Sequence, residues 1–135
     1  MASLVWSESL SVGIKSIDDQ HKRLIDLINS LEAAKNANNS GDALVKVVDG
    51  LLEYTKTHFT YEEQLFAKHG YAETAAHKSE HENFVKRALD ARESVRKGGA
   101  LVAGSLVGFL NLWLISHIKG TDKKYSEFLI SKGVR

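Results

Sequence analysis

Apolar side chains recur at helical spacing along four long stretches of this chain, and histidines or carboxylates interrupt all four stripes. Leu24, Ile25, Ile28 and Leu31 form the first, with His21 on it. The second runs through Leu44, Val47, Val48, Leu51, Thr55, Leu65 and Phe66, with His58 and Glu62 inserted. Phe84, Val85, Ala88 and Val95 form the third, with His77 and His81; Val102, Leu106, Phe109, Leu110 and Trp113 form the fourth, with His117 and, five residues on, Asp122. Residues three and four apart share a helix face, so each stripe predicts one amphipathic helix. Proline is absent, so no residue is barred from a helix interior. Four such helices joined by short loops predict an all-α, up-down-up-down four-helix bundle. One domain spans 1–135, with an irregular N-terminal arm over 1–15 and the bundle over about 16–131. Trp6, Leu10, Val12 and Ile14 are the arm's docking groups. Ser16-x-x-Asp19 resembles a capping box at the first helix start, and Asn36–Asn39, Gly70 and Gly98-Gly99 mark helix ends.

Composition removes several classes of function. The chain has no cysteine, which excludes disulfides, zinc–thiolate sites and iron–sulfur clusters; any metal must be held through nitrogen and oxygen. Lys and Arg number 18 against 17 Asp and Glu, interspersed, so no phosphate-binding stripe exists and nucleic acid is not an expected partner. The start, MASLVWSESLSVGIK, lacks a cationic segment and does not read as a secretory signal. The apolar region Ala100–Ile118 contains Gly104, Ser105, Gly108, Asn111, Ser116 and His117, which fits a buried bundle helix better than a membrane span. The expectation is a cytoplasmic protein, and a monomer, because the stripes are used internally.

The residues that break the stripes carry the chemistry. A neutral polar group in a core costs roughly 2–7 kcal/mol unless satisfied. Seven of them, His21, His58, Glu62, His77, His81, His117 and Asp122, would be satisfied together by a shared metal centre. Alone, HxxxE or HxxxH is common on helices, a single core histidine more often bonds a carbonyl, and Asp122 reads as a helix-end carboxylate; the ordered conjunction is what points to metal. His58 with Glu62, and His77 with His81, leave one helix face each, while His21 and His117 contribute from the remaining walls. The five-residue step from His117 to Asp122 turns the aspartate away in an ideal helix, so a π-bulge or break is expected around Lys119–Thr121, where Gly120 lies.

Five imidazoles supply five coordination positions. If Glu62 and Asp122 each bridge two ions they add four, and one bridging oxide or hydroxide adds two, which leaves two octahedral ions a single position short. The gap falls on the ion with fewer histidines and is open to a small molecule. Such donors suit iron or manganese. Mostly neutral donors favour reversible binding of dioxygen over oxygen activation. Ile25, Phe59, Leu114 and Ile118 lie within a turn of a donor and Trp113 one turn before His117, which predicts a dry pocket lining, with Leu114 gating access.

The constellation resembles the hemerythrin family, specifically the single-domain bacteriohemerythrins, over nearly the whole chain: WSESLSVGIKSIDDQH, LLEYTKTHFTYEEQLFAKHGY, HKSEHENF and LWLISHIKGTDKKY carry the likeness. The resemblance implies that His77, His81 and His117 hold a coordinatively full iron, that His21 and His58 hold the oxygen-binding iron, and that Glu62 and Asp122 bridge. Two departures are Phe66, where the family often has Met, and Ala72, where it often has Pro. His69 matches no ligand position; Tyr125 is open to two readings, a group supporting a ligand from behind and an ordinary amphipathic residue, and the second is preferred. The implied role is carriage, storage or delivery of dioxygen to an unknown acceptor enzyme, and not catalysis. The alternatives are an oxygen or redox sensor and a di-iron enzyme such as a peroxidase or nitric oxide reductase.

Overall fold

The computed structural model describes residues 4–135; the arm's first three residues lie outside the described residues. Four walls make the bundle: α1 (Lys15–Asn36), α2 (Gly41–His69), α3 (Thr74–Gly98), and α4 (Ala100–His117) continued through a π-helical segment, Ile118–Asp122, into α5 (Lys123–Ser131). Each wall packs on the next, and α4 closes the ring against α1. Short connections force antiparallel neighbours. The start of α1, the end of α2, the start of α3 and the end of α4 therefore gather at one end of the bundle, and those are the segments that carry the interrupting polar residues. The other end is filled by Ile28, Leu31, Leu44, Val48, Val95, Ala103 and Leu106, all buried.

The helix boundaries follow local chemistry, with one correction. The Ser16–Asp19 capping box does not form. α1 begins one residue earlier, and Ile14 precedes it in extended conformation without a side-chain cap. Ser16 lies inside the first turn, where its hydroxyl accepts from Tyr61 at 2.8 Å, and Asp19 is taken by Lys15 at 2.7 Å. Asp18 does the tying instead, accepting from the Ser11 hydroxyl at 2.6 Å and the Val12 N–H at 2.9 Å. That fixes the arm to α1, with Leu10, Val12 and Ile14 buried as expected. Ser126 on α5 donates to the Val12 carbonyl and clamps the arm at the same end.

Ser40 caps α2 by accepting from the Ala43 N–H at 3.2 Å. Gly41 follows because the end of α3 leaves no room: a Cβ there would lie 2.1 Å from the Arg96 carbonyl oxygen. α2 stops at Gly70, which takes the left-handed conformation at φ 72°. Across α2 and α3, Arg92 holds Asp49 in a forked pair at 2.5 and 3.0 Å. α4 buries Ala103, Leu106, Val107, Leu110 and Leu114, and leaves Leu101 and Leu112 exposed on its outer face.

Candidate metal centre

The seven residues singled out from the sequence converge in the polar end of the bundle, each at most 3 % exposed. Two overlapping sets of donors form. Glu62, His77, His81 and His117 surround one point, and His21, His58, Glu62 and Asp122 surround another, with the donor atoms of each set within 4.8 Å of one another. Asp122 spans both: Oδ2 lies 3.1 Å from His21 Nε2, while Oδ1 lies 3.1 Å from His77 Nε2 and 3.0 Å from His117 Nε2. Glu62 Oε1 faces His58, His81 and His77 at 3.4, 3.3 and 3.7 Å.

The π-helical segment brings Asp122 into place. Its wider turn returns a residue five positions on to the face of His117, at the position where the sequence required a distortion. Thr121 rides on the same segment and is brought against Glu80.

These donors point at a common centre and not at one another. His21, His77, His81 and His117 Nε2, Glu62 Oε1 and both Asp122 oxygens are buried without a hydrogen-bond partner among the described residues. Their short mutual distances lack hydrogen-bond geometry. A native interior rarely leaves seven such atoms unsatisfied in one place, and cations at the two centres would satisfy them together. The outward nitrogens are arranged for the same purpose. His58 Nδ1 donates to Gln20 Oε1 at 2.5 Å, His81 Nδ1 to Glu63 Oε2 at 2.8 Å, and His117 Nδ1 to Glu80 Oε1 at 3.1 Å. A ring that donates through Nδ1 presents the Nε2 lone pair inward when neutral.

Electrostatics agree. Burial lowers the His58 imidazole to about 4. Burial acts the same way on His77 and His117, but Asp122 and Glu62 outweigh it, raising His77 to about 9 and His117 above its ordinary value. Burial opposes the charge on both carboxylates, yet the surrounding histidines hold Glu62 below its usual range and Asp122 well below. Two fixed negative charges thus sit among imidazoles whose protons a cation can replace.

Aromatic rings wall the centre. Phe59 stacks on His81, with ring centres 3.7 Å apart and planes 4° from parallel, and Trp113 stacks on His117 at 4.3 Å and 13°. Above them lies an apolar cavity of about 10 Å³, lined by Leu24, Ile28, Leu51, Thr55, Phe59, Phe84, Leu110, Trp113 and Leu114. That is room for roughly one water-sized molecule. Of the five residues expected to line a pocket, Phe59, Trp113 and Leu114 form its walls. Ile25 and Ile118 are buried in the core and are not among them. Phe66 packs edge-on against His77 at 4.8 Å and beside Tyr125 at 5.3 Å.

Tyr125 requires a correction. It is fully buried, and its hydroxyl donates to Glu62 Oε2 at 2.5 Å. Burial and the charges of Asp122 and Glu62 raise its phenol well above the usual range, so it stays a donor at neutral pH. The available signal was its place one turn after Asp122. Gln20, Glu63 and Glu80 were also missed, although Gln20 and Glu63 directly adjoin His21 and Glu62.

Comparison with known proteins supplies the family. The profile described as "Hemerythrin HHE cation binding domain" matches residues 12–129. The chain belongs to the hemerythrin family. Over 127 residues it is 39% identical to a bacteriohemerythrin of Stenotrophomonas maltophilia, a match covering 94% of this chain and 82% of that one. A hemerythrin-like protein of Naegleria gruberi is 37% identical over 92% of each chain. A crystal structure of wild-type hemerythrin superposes with a TM-score of 0.85 at 33% identity, covering 95% of this chain and 98% of the other. The hemerythrin family is metal-binding, and the orphaned donors fit a pair of ions.

Proposed function

We propose that this hemerythrin-family chain binds dioxygen reversibly at a non-haem di-iron centre. In this reading His77, His81 and His117 would hold one iron, His21 and His58 would hold the other, and Glu62 and Asp122 would supply the carboxylates shared by the two donor groups. The observation that carries it is the set of seven inward-facing buried atoms without hydrogen-bond partners, split into two overlapping groups. When bound, the iron pair supplies the electrons that hold dioxygen.

The residues around the centre favour binding over turnover. Phe59, Trp113 and Leu114 line the apolar cavity and exclude water from it. Thr55 is the cavity's polar residue, and its hydroxyl proton is committed to the Leu51 carbonyl at 2.7 Å. No acid or base lines the cavity among the described residues. The role that follows is carriage, storage or local delivery of dioxygen by a chain that acts as a monomer in the cytoplasm.

The test is spectroscopic. Purified, reduced protein should contain two irons per chain and be nearly colourless. It should gain a visible absorption band with oxygen, one dioxygen per chain, and lose it on deoxygenation. A single metal per chain, zinc alone, or multiple turnovers with product release would overturn the reading.

A further inference from the structure

The imidazoles are not supported alike. Around the bundle, each wall supplies the group behind the next wall's histidine. Gln20 on α1 accepts from His58 on α2 at 2.5 Å, Glu63 on α2 from His81 on α3 at 2.8 Å, and Glu80 on α3 from His117 on α4 at 3.1 Å. The fourth link is missing: His21 Nδ1 is buried with no hydrogen-bond partner among the described residues, and the fifth ring, His77, which shares α3 with His81, has none of these three supports. The three supports also differ in charge. Both carboxylates stand behind the three-histidine half, and the neutral amide stands behind the two-histidine half. Thr121 fixes the Glu80 carboxylate by donating to both of its oxygens, at 2.9 and 3.0 Å.

A carboxylate that accepts the Nδ1 proton orients the ring and raises the donor strength of Nε2 more than an amide does; a ring without an acceptor gains neither. We propose that Glu63 and Glu80 are positioning residues that make the His77, His81 and His117 half the tighter divalent-cation site. That half fills first. The His21 and His58 half, with one neutral support and one absent, is left weaker and more labile. The inference rests on the two-ion reading above, and concerns only how the two sites differ.

The probe is Co²⁺ added to metal-free full-length protein in competition with a chromogenic chelator, which resolves two stepwise constants. Paramagnetically shifted Nδ1–H proton signals report which histidines hold the first ion. Wild type should load the first ion with shifted signals from His77, His81 and His117, and the second about tenfold or more weakly. E63Q and E80Q keep the shape and an accepting oxygen but remove the charge. Each should weaken the first step about 10–100-fold and the second by less than about threefold. Q20E should strengthen the second step. Because glutamine still accepts the bond, a purely structural role would leave both constants in place. Unchanged constants in E63Q and E80Q, or a first ion held by His21 and His58, would overturn the proposal. Uptake of fewer than two ions by wild type would overturn the two-ion reading itself, and this inference with it.

Discussion

Replacing Tyr125 with phenylalanine removes one oxygen from a fully buried site and leaves the ring in place. The ring keeps its neighbours Phe66 at 5.3 Å, His77 at 5.6 Å and Tyr71 at 6.4 Å, so no cavity of consequence opens. The loss is the hydroxyl's bond to Glu62 Oε2, at 2.5 Å between two fully buried side chains. Hydrogen bonds to charged groups contribute about 1.5–3 kcal/mol, and the acceptor left behind is a carboxylate with no route to solvent. For a domain of this size that loss lowers the melting temperature of the metal-free protein by roughly 5–12 °C. Groups that orient a metal's ligands typically contribute about 10–100-fold in affinity, or roughly 1.4–2.8 kcal/mol. The two estimates agree because both measure one bond to one carboxylate. Circular-dichroism melts of metal-free protein and chelator competition for Co²⁺ read the two quantities separately. A melting point within about 1 °C of wild type, together with affinity within about twofold, would refute the reasoning.

Leu114→Ala should cost about 2–5 kcal/mol in thermal unfolding; it should also enlarge the cavity, speeding both oxygen association and autoxidation in stopped-flow and spectral decay measurements. Metal-free stability should depend on pH with a sign set by His77 and His117: both are raised above the unfolded 6.5, so both stabilise fully below 6.5, and the His77 contribution fades as pH rises through about 9. His58, lowered to about 4 by burial, acts oppositely and withdraws stability as pH falls from 6.5 toward 4. Melts at pH 6.5 and 9.5 should therefore fall with pH for metal-free protein, whereas metal affinity, which needs neutral imidazoles, should rise over the same interval. Glu32→Met should raise stability by about 1–4 kcal/mol in urea denaturation, because Glu32 is 3 % exposed and neither carboxylate oxygen has a hydrogen-bond partner among the described residues.

The way the donors gather shows where sequence reading works and where it stops. His58 with Glu62, and His77 with His81, were legible because a helix places residues four apart on one face whatever surrounds it. The distortion before Asp122 was legible because five residues do not close an α-helical turn, and the chain takes the π-helical solution at Ile118–Asp122. The cap of α1 was misread, although its start was not, because capping depends on where the arm docks; Asp18, not Ser16, meets the arm. Tyr125 was undervalued because its partner, Glu62, lies 63 residues away on another wall.

The chain alone determines four apolar faces, the turn chemistry between them and the type and order of the inward donors, since these follow from local geometry and from what each side chain can coordinate. Only the packed bundle decides that Asp122 faces both donor groups, that Phe59 and Trp113 cover His81 and His117, and that carboxylates stand behind one half of the centre and an amide behind the other. Those outcomes depend on how each helix is rotated against its neighbours, and that rotation is settled by the joint packing of all four walls.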